Sequence, residues 1–73
     1  MKNIVGVRFK RLGKIYFFDP KWLEVKKGEY VIAETSQGEE IAEVVIPSRM
    51  IDEEKLNSPL KKILRLASER DLK

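Results

Sequence analysis

The side chains best equipped for chemistry in this sequence are its carboxylates, at Glu39-Glu40, Glu43 and Asp52-Glu53-Glu54. A glycosidase pair or a metal centre needs two or more of them converging in one cleft, in environments that separate their proton affinities. Neighbours on a strand point to opposite faces, so Glu39 and Glu40 diverge, and the acidic triplet lies in a polar stretch that reads as a surface loop. Ser36, Ser48, Ser58 and Ser68 have no imidazole to activate them, because the chain contains no histidine. Gly6, Gly13, Gly28 and Gly38 stand singly and form no phosphate-cradling loop. With no cysteine either, disulfides, thiolate nucleophiles and cysteine-ligated clusters are absent from these 73 residues. The sequence reads as non-enzymatic, with no cofactor site of its own.

Binding features are more substantial. Arg8, Lys10, Arg11 and Lys14 cluster around a first hairpin, beside Tyr16 and Phe18. A basic strip with interleaved aromatic rings is what single-stranded RNA needs, since phosphates require cations and unstacked bases require flat faces. Trp22 follows an Asp-Pro step and is a candidate contact residue if its ring stays exposed. These seven residues form the candidate surface for nucleic acid or a protein partner.

Charge is distributed in blocks. Residues 1–28 carry eight Lys/Arg against two acids, a net +6; residues 29–58 carry eight acids against two bases, a net −6; residues 59–73 carry five bases against two acids, a net +3. Such blocks make either a molecule with a basic and an acidic side, or opposite charges facing each other across neighbouring strands.

The elements that position these groups follow from periodicity. Val5, Val7 and Phe9 alternate with Gly6, Arg8 and Lys10, the period of a half-buried strand. A glycine inside that strand marks a bulge or a close backbone approach. Arg11 to Lys14 supplies a turn, and Ile15-Tyr16-Phe17-Phe18 is a second strand ended by Asp19-Pro20. Trp22 to Val25 reads as extended, and Lys26 to Glu29 as a turn. Tyr30 to Thr35 and Ile41 to Ile46 form a hairpin around Ser36-Gln37-Gly38, closed by Pro47-Ser48. Residues 49–58 read as loop or a short helical turn. Residues 60–66 fit either a helical stripe or a last strand, and Ser68 with Asp71 resembles a helix start. The expected fold is mostly β: a small SH3-like barrel or a curled antiparallel sheet of four to five strands, with a short C-terminal helix start. An edge strand of so small a sheet could pair with a second copy, giving a homodimer. No stretch approaches the roughly 20 apolar residues of a membrane span, and the N-terminus has no signal-peptide pattern, which points to the cytoplasm.

Three segments together resemble a known family. Val5-Gly6-Val7-Arg8-Phe9, Lys14-Ile15-Tyr16-Phe17-Phe18-Asp19-Pro20 and Lys27-Gly28-Glu29-Tyr30-Val31-Ile32-Ala33-Glu34-Thr35 resemble the N-terminal part of the bacterial YaaT/RicT family, which shares its defining domain with a yeast polymerase-suppressor protein. The tail from Pro59 to Leu72 is similar to the family's next block. Ala42 stands where the family tends to have glycine. The resemblance implies a single small domain, residues 1–73, forming the leading segment of a longer regulatory protein. It further implies an adaptor that assembles with partner proteins in the cytoplasm and influences RNA processing. The longer family members carry iron–sulfur clusters through cysteines that have no counterpart here.

Overall fold

The structure, a computed structural model, describes residues 2–9, 13–55 and 60–72. It contains five strands: β1 (Lys2–Arg8), β2 (Ile15–Phe18), β3 (Tyr30–Thr35), β4 (Gly38–Ile51) and β5 (Ile63–Leu66), with one 3₁₀ turn at Glu53–Lys55. They form one antiparallel sheet in the order β2-β1-β4-β3-β5. The sheet curls, and its two edge strands meet at one parallel bridge, Asp19 with Lys62. The Asp19 N–H donates to the Lys61 carbonyl at 2.8 Å, and the Asp19 carbonyl accepts from the Ile63 N–H at 2.9 Å. No ladder continues from that point, so of the two expected forms the curled sheet is the one adopted, without closure into a barrel.

Alternation drives the packing. Val5, Val7, Phe9 and Phe18 from the first hairpin meet Val31, Ala33, Ala42, Val44 and Ile63 in one buried cluster, with Val25 sealing it from the connecting loop. Removing these side chains from water is the main force holding so short a chain together. Gly6 lies between the inward-facing valines, and a Cβ on it would sit 2.8 Å from the Ile46 Cβ. The β1–β4 register shifts on both sides of Gly6, so the close approach and the bulge expected of a strand glycine occur together.

Several expectations are corrected. Pro47-Ser48 does not end the strand: β4 runs on to Ile51, because the register shift between Ile4 and Gly6 leaves Pro47 and Ser48 opposite a single residue, Val5. A bulge is one of the few places in a sheet where a residue lacking an N–H is tolerated. Residues 49–51 are therefore strand, 53–55 are the short helical turn, and the remainder of the expected loop to residue 58 lies largely outside the described residues. Thr35 pairs directly with Gly38, so Ser36-Gln37 is a two-residue loop and Gly38 already belongs to β4, at φ +109°. The ambiguous tail is strand at 63–66. Ser68 to Leu72 forms turns and not a helix. The segment expected to be extended from Trp22 to Val25 opens instead on a tight turn at Lys21 and Trp22.

Candidate interaction surface

Residues directly opposite each other in a ladder share a face. Val5 opposes Phe18 and Val7 opposes Tyr16, which puts both rings on the inner side of the curl. Phe18 is 6% exposed, and its ring packs edge-on against Phe9 at a centroid distance of 5.9 Å. The expectation that Phe18 could stack on a base is therefore corrected: its side chain is part of the core. Tyr16 sits at the rim, half-covered by Phe9 at 5.9 Å, with the rest of its ring in solvent.

On the outer face, Arg8 lies between Ile15 of β2 and Glu43 of β4, and Glu43 in turn lies beside Tyr30 of β3. The Arg8 guanidinium donates to Glu43 Oε1 at 3.3 Å. At this one pair a base of the first block meets an acid of the middle block across β1 and β4, the kind of contact the charge-pairing alternative expects. Both side chains are well solvated, so the pair contributes at most about 1 kcal/mol. An open groove of about 830 Å³ runs along this row, lined by Arg8, Tyr30, Ile41, Glu43, Asp71 and Leu72. Lys14 is exposed at the start of β2, whereas Lys10 and Arg11 lie outside the described residues. The five candidates among the described residues do not form one patch: Arg8 faces outward, Tyr16 faces inward at the rim, Phe18 is buried, and Trp22 stands at the far end of β2 from Lys14.

Trp22 has the most exposed large apolar side chain among the described residues, at 82%. It is held out by a stiff turn. Asp19 Oδ1 accepts the Lys21 N–H at 2.7 Å, and the Pro20 carbonyl accepts the Leu23 N–H at 3.0 Å. Lys21 takes φ 58°, a left-handed conformation that costs a residue with a Cβ about 1–2 kcal/mol. Buried Pro20 precedes the turn, and Leu23 and Val25 pack into the core after it. The same turn stands beside Lys61 and Lys62, some 40 residues on in sequence, through the Asp19–Lys62 bridge. Sequence reading did not find that neighbourhood, because nothing local announces a bridge between the end of β2 and the start of β5.

Among the described residues no group of three or more His, Cys, Asp or Glu side chains could hold a metal ion, and no helix is long and apolar enough to cross a membrane. The fold and its surface define a small, curled antiparallel β module that offers solvent a projecting indole, an apolar edge and ion pairs. Comparison with known proteins then places it: the chain is 46% identical over 72 residues to the stage 0 sporulation protein YaaT of Bacillus subtilis (strain 168), a match that takes in 99% of this chain and 26% of that protein. The chain is an N-terminal segment of a YaaT family member, in agreement with the resemblance seen in residues 5–9, 14–20 and 27–35. It spans about a quarter of the relative's length, and that relative's name ties it to sporulation. No family model and no solved structure matches the chain.

Proposed function

We propose that this chain is a non-catalytic protein-docking module of a YaaT/RicT-like regulator, one that assembles with partner proteins in the cytoplasm and influences RNA processing. The observation that carries the reading is Trp22. An indole 82% exposed, on a turn strained at Lys21 and anchored by buried residues on both sides, is a pre-organised anchor. Tryptophan is enriched among the few residues that dominate protein interfaces, and a rigid turn loses little freedom when it docks. An unoccupied site of this kind would otherwise leave the largest apolar side chain of the protein in water for no structural return, since Trp22 contributes nothing to the core cluster.

The test is Trp22→Ala in a YaaT-length protein that carries these 73 residues. Its thermal midpoint should stay within about 1 °C of the parent, because a solvent-facing side chain is removed. Affinity for the partner proteins, measured by calorimetry, should fall by about 30-fold or more, the loss typical of an interface anchor. Unchanged partner affinity would sink the assignment of Trp22. Unchanged affinity on deletion of all 73 residues would sink the docking role itself.

A further inference from the structure

We propose that the free edge of β2 pairs with the β2 of a second copy of this chain, in antiparallel register about a two-fold axis at Tyr16. Asp19 directs both its N–H and its carbonyl at β5. Backbone direction alternates along an extended strand, so Phe17 and Ile15, two and four residues earlier, direct theirs at the same side. Among the described residues they meet no strand there: β2 pairs with β1, and no backbone hydrogen bond beyond that ladder reaches residues 15–18. The side chains along this edge are exposed as well, Ile15 at 47%, Tyr16 at 40% and Phe17 at 45%. Natural edges are usually protected by a charge, a proline or a bulge within the strand. Ile15-Tyr16-Phe17-Phe18 has none of these.

The occupant follows from geometry and charge. Only odd-numbered residues of β2 carry free backbone groups, so hydrogen-bonded pairs must join odd to odd. A two-fold axis at Tyr16 sets Ile15 against Phe17 of the second copy and Phe17 against its Ile15. That pairing forms four backbone hydrogen bonds and continues the outer apolar stripe across both molecules. Lys14 precedes the strand and Asp19 follows it, so antiparallel pairing brings the basic flank of each copy toward the acidic flank of the other. Parallel pairing would bring like flanks together. The two Tyr16 residues become a directly opposed, non-hydrogen-bonded pair, with Cα atoms about 4.5 Å apart. This surface is distinct from the Trp22 turn, and dimerisation does not depend on the docking role.

Sedimentation equilibrium on the 73-residue chain should give about twice the monomer mass of 8.5 kDa, falling to the monomer on dilution. Phe17→Lys should remove the dimer. Ile15→Pro should remove it too while sparing the β1 ladder, because the lost N–H faces the open edge. The chain has no cysteine, so single thiols report the register. Tyr16→Cys should oxidise to a disulfide-linked dimer, since the expected Cα separation lies in the range of about 4.4–6.8 Å that a disulfide spans. Ile15→Cys, which opposes Phe17, should not. A monomer at every concentration overturns the proposal. So does a dimer that survives Phe17→Lys, or crosslinking through Ile15→Cys in place of Tyr16→Cys.

Discussion

At Gly6 an added methyl would lie 2.8 Å from the Ile46 Cβ and 3.1 Å from two further Ile46 carbons. The nearest of those atoms is fixed to the β4 backbone, so β1 and β4 would have to separate to admit it. The glycine is needed here for space, since its φ lies outside the left-handed region. Gly6→Ala should lower stability by about 1–3 kcal/mol, the usual cost of overpacking. The check is a urea titration in which the midpoint falls at unchanged slope; an unchanged midpoint would mean that β4 moves away freely. Of the single residues, Gly6 was legible from its place in an alternating strand. Trp22 was legible as a candidate, but its exposure was not, because the turn that projects it depends on an Asp19 side-chain bond and a left-handed lysine that no pattern announces. Phe18 could not be assigned a side from alternation within β2 alone, since that required the β1 register.

The turn that follows β5 is held by one carboxylate. Asp71 Oδ2 accepts from Arg65 Nη1 at 2.7 Å, from the Ser68 N–H at 2.7 Å and from the Ser68 hydroxyl at 2.9 Å. The Arg65 hydrogen bond first, then the Ser68 backbone and hydroxyl, hold the Asp71 carboxyl well below the ordinary carboxylate value of 3.8. A carboxyl whose proton affinity is lowered by folding stabilises the folded state above its unfolded pKa. That contribution is lost only as pH falls through the lower, folded value. The Ser68 amide resonance should therefore hold its position from neutrality down past pH 4 and move only in stronger acid, and Asp71→Asn should displace it at every pH. A midpoint at the ordinary value would show that the three contacts do not form in solution. Ser68 and Asp71 were readable as a capping pair, and the reach of Asp71 back to the Ser68 N–H is what such a pair makes at a helix start. Here it closes turns, tied sideways to the β5 arginine. The β3–β4 hairpin was the most legible element, with two β-favouring apolar runs joined by a short loop. One element misled for a physical reason, since proline ends a strand unless a bulge accommodates it, and one stayed open, because Ile63-Leu64-Arg65-Leu66 is too short for its period to separate helix from strand.

The whole molecule is held by few buried side chains. Its radius of gyration of 11.6 Å is close to the value of about 11 Å expected of a compact chain of this length, so compaction is nearly complete although the sheet stays open. At the usual stability per residue, the fold rests on about 4–11 kcal/mol. Ile63 occupies a decisive place in that margin. It is 2% exposed, opens β5, pairs across to Ala33, and donates its N–H to the Asp19 carbonyl where the sheet's two edges meet. Ile63→Val should cost about 0.5–1.5 kcal/mol and leave the fold intact, whereas Ile63→Ala should cost about 2–5 kcal/mol, a large share of the total. The edge contact joins residues 19 and 63, so the alanine variant should loosen the end of β2 as well as β5. Hydrogen exchange reads this directly: the Asp19 and Glu34 amides, bonded to Lys61 and Lys62, should lose protection together. Protection kept at Asp19 while β5 opens would show that the β2 end is held by β1 alone, and that the meeting of the edges follows from the curl and does not secure it.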